Sequence, residues 1–137
     1  MSGKTRPLQA ENTFSNELLQ SIFIQVADGI FIADNQGRYI DVNPCGCEML
    51  GYTRLEILKL SIRDLVSPED LSNNPIKLDD LRAGKTIVSE RFLRCKDRTL
   101  LPVEISAQML SNGHLLGIVR DVTERKQIEE AILHNES

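Results

Sequence analysis

Leu115-Leu116-Gly117-Ile118-Val119-Arg120-Asp121-Val122-Thr123-Glu124-Arg125-Lys126 is the stretch whose reading decides the fold. Side chains alternate along a strand, so Leu116 and Ile118 share one face while Leu115, Gly117 and Val119 share the other, and both faces are apolar. Such a strand is expected inside a sheet, with something packed on each side. The pattern then turns polar. Asp121 and Thr123 are helix-starting residues, Glu124 stands three after Asp121 as in a capping box, and the charged run to Glu130 favours a helix leaving the domain. A buried central strand joined directly to an exit helix reads as a mechanical output.

Working outward, the chain of 137 residues fits one domain with a sizeable core and little left for a second. A net charge of -4 with scattered Lys and Arg argues against a nucleic-acid partner, which needs a clustered basic surface. Nothing approaches the roughly 18 consecutive apolar residues of a membrane span, and the amino terminus lacks the apolar core of a signal peptide. Cys45, Cys47 and Cys95 cannot all pair with one another, and Cys45 and Cys47, two apart, point to different sides of a helix. Reduced thiols in a cytoplasmic protein are the expectation.

Residues 1–13 carry no apolar period and read as a flexible start. Phe14, Leu18, Ile22 and Val26, with Leu19 and Phe23 beside them, form a helical stripe over 14–27 that either covers the chain's own sheet or makes a dimer contact. Gly29–Asp34 and Arg38–Asn43 read as a hairpin joined by Asp34-Asn35-Gln36-Gly37. Asn43-Pro44 is a helix start; Asn74-Pro75 is expected to open another helix through Ala83, closed by Gly84. Between them Thr53-Arg54-Leu55-Glu56 has capping-box spacing, Ile62, Leu65 and Val66 supply one short helix, and Ser67-Pro68-Glu69-Asp70 a capped turn. Thr86–Cys95 returns to period two, and Leu101, Val103, Ile105, Ala107 and Met109 alternate with polar neighbours before Ser111-Asn112-Gly113 turns the chain into the central strand. The order predicts an α+β fold: a five-stranded antiparallel sheet with short helices on one face.

Asp28-Gly29-Ile30 with Ala33-Asp34, Asn43-Pro44, Leu50-Gly51-Tyr52-Thr53 with Glu56, Ser67-Pro68-Glu69-Asp70, Leu101-Pro102-Val103-Glu104 and Asp121-Val122-Thr123-Glu124-Arg125 follow one another in an order that resembles the PAS sensory fold of bacterial and archaeal signalling proteins. The resemblance spans residues 20 to 126 and implies a domain over 28–123, strand order 2-1-5-4-3, and a pocket between the short helices and the sheet. It implies that 124–137 begins a signalling helix and that Asp121, Thr123 and Glu124 link core to output. What a PAS domain binds does not follow from its fold. Flavin photoreceptors of the family carry Asn-Cys-Arg-Phe-Leu-Gln where this chain has Ser61-Ile62-Arg63-Asp64-Leu65-Val66, so the reactive cysteine is missing. Haem-binding members place a His on the helix expected at Pro75–Ala83, and redox members rely on Trp; neither residue is there. Flavin and haem are disfavoured and the cofactor is left unknown.

The residues name no catalytic group and no metal site. His114 and His134 have no ligand-spaced partner, Cys45-Gly46-Cys47 is not a CxxC motif, and no nucleophile or phosphate-loop motif occurs, which argues against an enzyme. Val88, Phe92, Val103, Ile105, Leu116 and Ile118 on the sheet, with Met49, Leu65 and Leu81 from the short helices, enclose either a solid core or a cavity; Cys45 and Arg91 are its candidate polar entries. An aliphatic lining suits a small apolar ligand better than a flat cofactor. Two functions stand: a sensor domain regulating a covalently linked effector of the histidine kinase or diguanylate cyclase type, or a ligand-free dimerisation module. A homodimer through the 14–27 helix and the sheet is expected, and Ile128 and Ile132, four apart with Ala131 beside them, suit a two-helix seam running into the effector.

Overall fold

The computed structural model describes residues 17–18 and 27–136. The expected flexible start at 1–13 and the 14–27 stripe lie outside the described residues, save Glu17 and Leu18, which are helical and exposed, and Ala27, in the bend before β1. Strands β1 (Gly29–Ala33), β2 (Tyr39–Val42), β3 (Ile87–Arg94), β4 (Leu100–Met109) and β5 (Leu115–Asp121) form one antiparallel sheet in the order β2-β1-β5-β4-β3. Between β2 and β3 run α1 (Pro44–Leu50), α2 (Arg54–Ile57), α3 (Ile62–Leu65), α4 (Pro68–Asn73) and α5 (Leu78–Arg82), and α6 (Thr123–Glu136) follows β5. The α+β architecture and the central place of β5 are those expected.

Local chemistry explains most element ends. The hairpin β1–β2 turns because Asp34 Oδ1 accepts from the amides of Gln36 and Arg38. Asn43 caps α1: its Oδ1 accepts from the Gly46 amide at 2.9 Å and from the Ile30 amide at 2.8 Å, while its Nδ2 donates to the Asp28 carbonyl at 3.0 Å. One buried side chain thereby starts the helix and ties it to β1. The contact is close enough that a Cβ on Gly46 would lie 2.8 Å from Val42 Cγ2 and 3.0 Å from the Phe31 ring, so only glycine fits there. Thr53 and Glu56 form the reciprocal capping box at α2, and Ser67 accepts from the Asp70 amide at α4.

Asn74-Pro75 does not open a helix. The Asn74 amide donates to the Asp70 carbonyl at 2.8 Å, so the residue closes α4, and α5 starts only at Leu78, without a side-chain cap. Gly84 follows α5 in the left-handed region, φ +86°, as expected.

The faces of the sheet also differ from expectation. Residues directly opposite on antiparallel strands share a face, and the register sets Arg91 against Val103 and Ser89 and Val119 against Ile105. The inner face therefore carries Ser89, Arg91 and Leu93 of β3 and Leu115, Gly117 and Val119 of β5. Val88, Phe92 and Ile118 fall on the other face and are 60%, 48% and 38% exposed. Polarity suggested the opposite for β3, because its inward positions include Ser and Arg. The central strand is consequently covered unequally: Val119 is buried with Phe31, Val42, Leu50, Ile57, Leu65 and Val103 in the core that the helices share with the inner face, and Ile118 is not.

Candidate functional site

On the inner face the sheet and the α3–α5 region line a partly open cavity of about 300 Å³. Phe31 and Ala33 of β1, Ile105 and Ala107 of β4, and Leu115 and Val119 of β5 form its floor; Ile62, Leu81 and the segment Asn74–Lys77 close the other side. The space exists because the floor has small residues where strands meet: Gly117 pairs with both Phe31 and Ala107, and a Cβ added at Gly117 would meet nothing nearer than 3.8 Å. Tyr39 packs against Phe31 with ring centroids 5.6 Å apart, and burial pushes its phenol far above the usual range, so it stays protonated.

One buried charged side chain is set in this wall. Arg91 lines the cavity with 8% of its side chain exposed, and its Nη1 stands 3.6 Å from Asp70 Oδ2 on α4. That separation is an ion pair but too long for a hydrogen bond. Arg91 Nη1 and Asp70 Oδ2 are buried atoms without a hydrogen-bond partner.

The adjacent residue faces the other way. Glu90 is directly opposite Glu104, a like-charge pair that weakens a sheet unless bridged. Arg125, in the first turn of α6, bridges it: its Nη2 donates to Glu90 Oε1 and its Nη1 is 3.6 Å from Glu104 Oε2. Lys126 Nζ adds a bond to Glu90 Oε2 at 3.1 Å. The root of the exit helix is thus latched to β3 through Glu90, beside the residue that lines the cavity. Below the latch, the Val122 amide donates to the Pro102 carbonyl at 3.0 Å and Asp121 Oδ1 accepts from the Thr123 amide and hydroxyl at 2.8 and 2.6 Å.

A family model for the PAS domain matches residues 27–124, most of the chain. The chain belongs to the PAS domain family. The methyl sulfide methyltransferase-associated sensor of Methanosarcina acetivorans is 29% identical over 127 residues, which are 90% of this chain and 12% of that protein. Sporulation kinase E of Bacillus subtilis is 30% identical over 114 residues, 82% of this chain and 15% of that protein. A crystal structure of a domain of a sensory box sensor histidine kinase/response regulator from Geobacter sulfurreducens superposes with a TM-score of 0.72 at 37% identity, covering 80% of this chain and 96% of that one. The chain spans less than a sixth of the length of these two curated relatives, so the similarity is to one portion of each.

Within this PAS domain the residues singled out from sequence divide. Leu81 and Ile105 line the cavity from the inner face, whereas Val88 and Leu116 border it although the register sets both on the other face, Val88 mostly exposed. Val103 and Leu65 are wholly buried in the core, Met49 packs against that core, and Phe92 and Ile118 lie on the far face. Cys45 is elsewhere: its thiol donates to the Ala27 carbonyl at 2.9 Å, and burial pushes it and the Cys47 thiol up. Of the two expected polar entries only Arg91 is at the cavity. At the output junction, α6 begins at Thr123, so Asp121 is one residue too early to form a capping box with Glu124, and the Thr123 hydroxyl donates to Asp121 instead of receiving a helix amide. Glu90 was missed in the sequence because its partners lie 35 and 36 residues away.

The latch has a titration signature. The hydrogen bond and charge of Lys126, followed by the charge of Arg125, hold the Glu90 carboxyl below its ordinary 4.5. A carboxyl lowered in the folded state contributes stability above its unfolded pKa, and that contribution is lost as pH falls through the folded one. A carbon-13 NMR titration of Glu90 should therefore give a midpoint below 4.5, and Lys126→Met should raise it toward that value. A midpoint unmoved by Lys126→Met means that the latch does not hold in solution.

Proposed function

We propose that this PAS domain is the input of a larger cytoplasmic sensor protein, in which a small molecule in the cavity biases the exit helix and so an attached effector of the histidine kinase type. The observation carrying the reading is the adjacency on β3: Arg91 lines the cavity while Glu90 holds the root of α6. A ligand that shifts β3 acts on both at once, and it moves the equilibrium only as far as its affinities for the two states differ. The sensor and kinase relatives, of which this chain matches one portion, support an effector in the same polypeptide. Among the described residues no helix is long and apolar enough to cross a membrane. The domain takes neither flavin nor haem, since the residues that hold them in relatives are replaced in this sequence. Two copies act together, with Ile128 and Ile132, each 52% exposed and four apart, forming a seam between exit helices.

Filling the cavity tests the reading. Ala107→Phe, measured in the intact parent, is expected to leave the fold in place and fix autophosphorylation at one level under conditions that shift the wild type. Autophosphorylation that still follows the signal as in the wild type would refute ligand sensing and favour a constitutive module with a passive cavity.

A further inference from the structure

We propose that the cavity takes a small monocarboxylate with an apolar body, its carboxylate bound by Arg91; this deepens the sensor reading and rests on it. A guanidinium carries five N–H donors and is costly to take out of water unless they are met. Arg91 is more than nine-tenths buried, yet among the described residues no hydrogen bond to its side chain occurs, and its one ion partner, Asp70, is 3.6 Å away. Asp70 is not part of the cavity wall. It backs Arg91 from α4, positioning the guanidinium without using up its donors, and leaves the cavity-facing edge for an acceptor from a ligand.

The remaining wall restricts what brings that acceptor. Tyr39, Asn74 and Ser89 are polar but uncharged, and Phe31, Ile62, Leu81, Ile105 and Val119 are apolar, so a second charge on the ligand would meet no buried counter-charge in the wall. Glu90 touches the wall but is engaged by Arg125 and Lys126, while Lys77 at the exposed rim adds a positive charge on the approach. One anionic group with a planar pair of oxygens matches a guanidinium bidentately, and a carboxylate is the smallest such group. At about 30 Å³ per water-sized group, the cavity holds about ten non-hydrogen atoms. Octanoate has that size and serves as the probe.

The test compares three molecules of one length on the 137-residue chain by titration calorimetry. Octanoate is expected to bind about ten- to a hundredfold tighter than octanamide or 1-octanol, the range for one charge-assisted hydrogen-bonding group. Arg91→Met should abolish that preference while the apolar contribution, read from 1-octanol, persists. Because Arg91→Met strands the Asp70 carboxylate, Arg91→Met/Asp70→Leu replaces it if the single variant does not fold. Equal affinities for the three probes, no binding of any, or an octanoate preference retained in a folded Arg91 variant would each overturn the proposal. Those results leave the sensor reading to be judged by Ala107→Phe in the parent, which makes no assumption about ligand charge.

Discussion

Replacing Asn43 by alanine is expected to destabilise the domain by about 3 kcal/mol, visible as a fall in thermal midpoint of about 15 °C for a domain of this size. The side chain is fully buried and makes three hydrogen bonds to main-chain groups of different segments: the Gly46 amide in α1, and the Ile30 amide and Asp28 carbonyl at the start of β1. An ordinary cap contributes about 1 kcal/mol because water replaces it at an exposed helix end. Here the packing of Gly46 against Phe31 and Val42 excludes that replacement, and the truncation strands polar groups at the strand edge. Ser67→Ala is the internal control, since the Ser67 side chain accepts a single bond, from the Asp70 amide. Equal thermal shifts in the two variants would mean that Asn43 is merely a cap and that the bonds to β1 contribute nothing.

Asn43 was legible in the sequence; Arg91 and Glu90 were legible only in part. Caps and turns are written in neighbouring residues, so Asn43-Pro44, Thr53 with Glu56, Ser67-Pro68 and the Asp34–Gly37 reversal all read correctly. Asn74-Pro75 has the same local signature and failed, because the preceding helix extends far enough for the Asn74 amide to end it. Which face a residue occupies is decided by cross-strand register, which no local pattern contains. In β3 the apolar Val88 and Phe92 suggested the inside, while pairing with β4 turns Ser89 and Arg91 inward. The cavity residues went the same way: a strand whose inner face holds a charged side chain contradicts hydrophobic periodicity, and such contradictions are expected at functional positions. The latch joins β3 to α6 across 35 residues of chain, so its like-charge pair, Glu90 and Glu104, appears in the sequence only as two ordinary surface acids.

Glu90→Lys in the intact parent should remove signal dependence from the effector while the PAS domain still folds cooperatively. The substitution turns the acceptor of two cationic side chains into a third cation, so Arg125 and Lys126 are repelled where they were held. The fold has little at stake, because all three side chains are substantially exposed and exposed ion pairs contribute little to global stability. The exit helix has more at stake. Its remaining ties are the Val122 bond to Pro102, the Asp121–Thr123 turn, which is local to the junction, and the Arg125 contact with Glu104. They tie it to β4 and β5, and none reaches β3, the strand that carries Arg91. Glu90→Gln separates charge from shape: it keeps a hydrogen-bond acceptor of the same size and should give an intermediate loss of coupling. Asp121→Ala, which disturbs the turn but spares the latch, should loosen the helix start and preserve more of the response. A graded order, Lys worst, then Gln, then Asp121→Ala, identifies the charge on β3 as what transmits the cavity's state. If all three variants are folded and respond to signal like the wild type, transmission does not pass through Glu90, and the adjacency of Glu90 and Arg91 has no role in output.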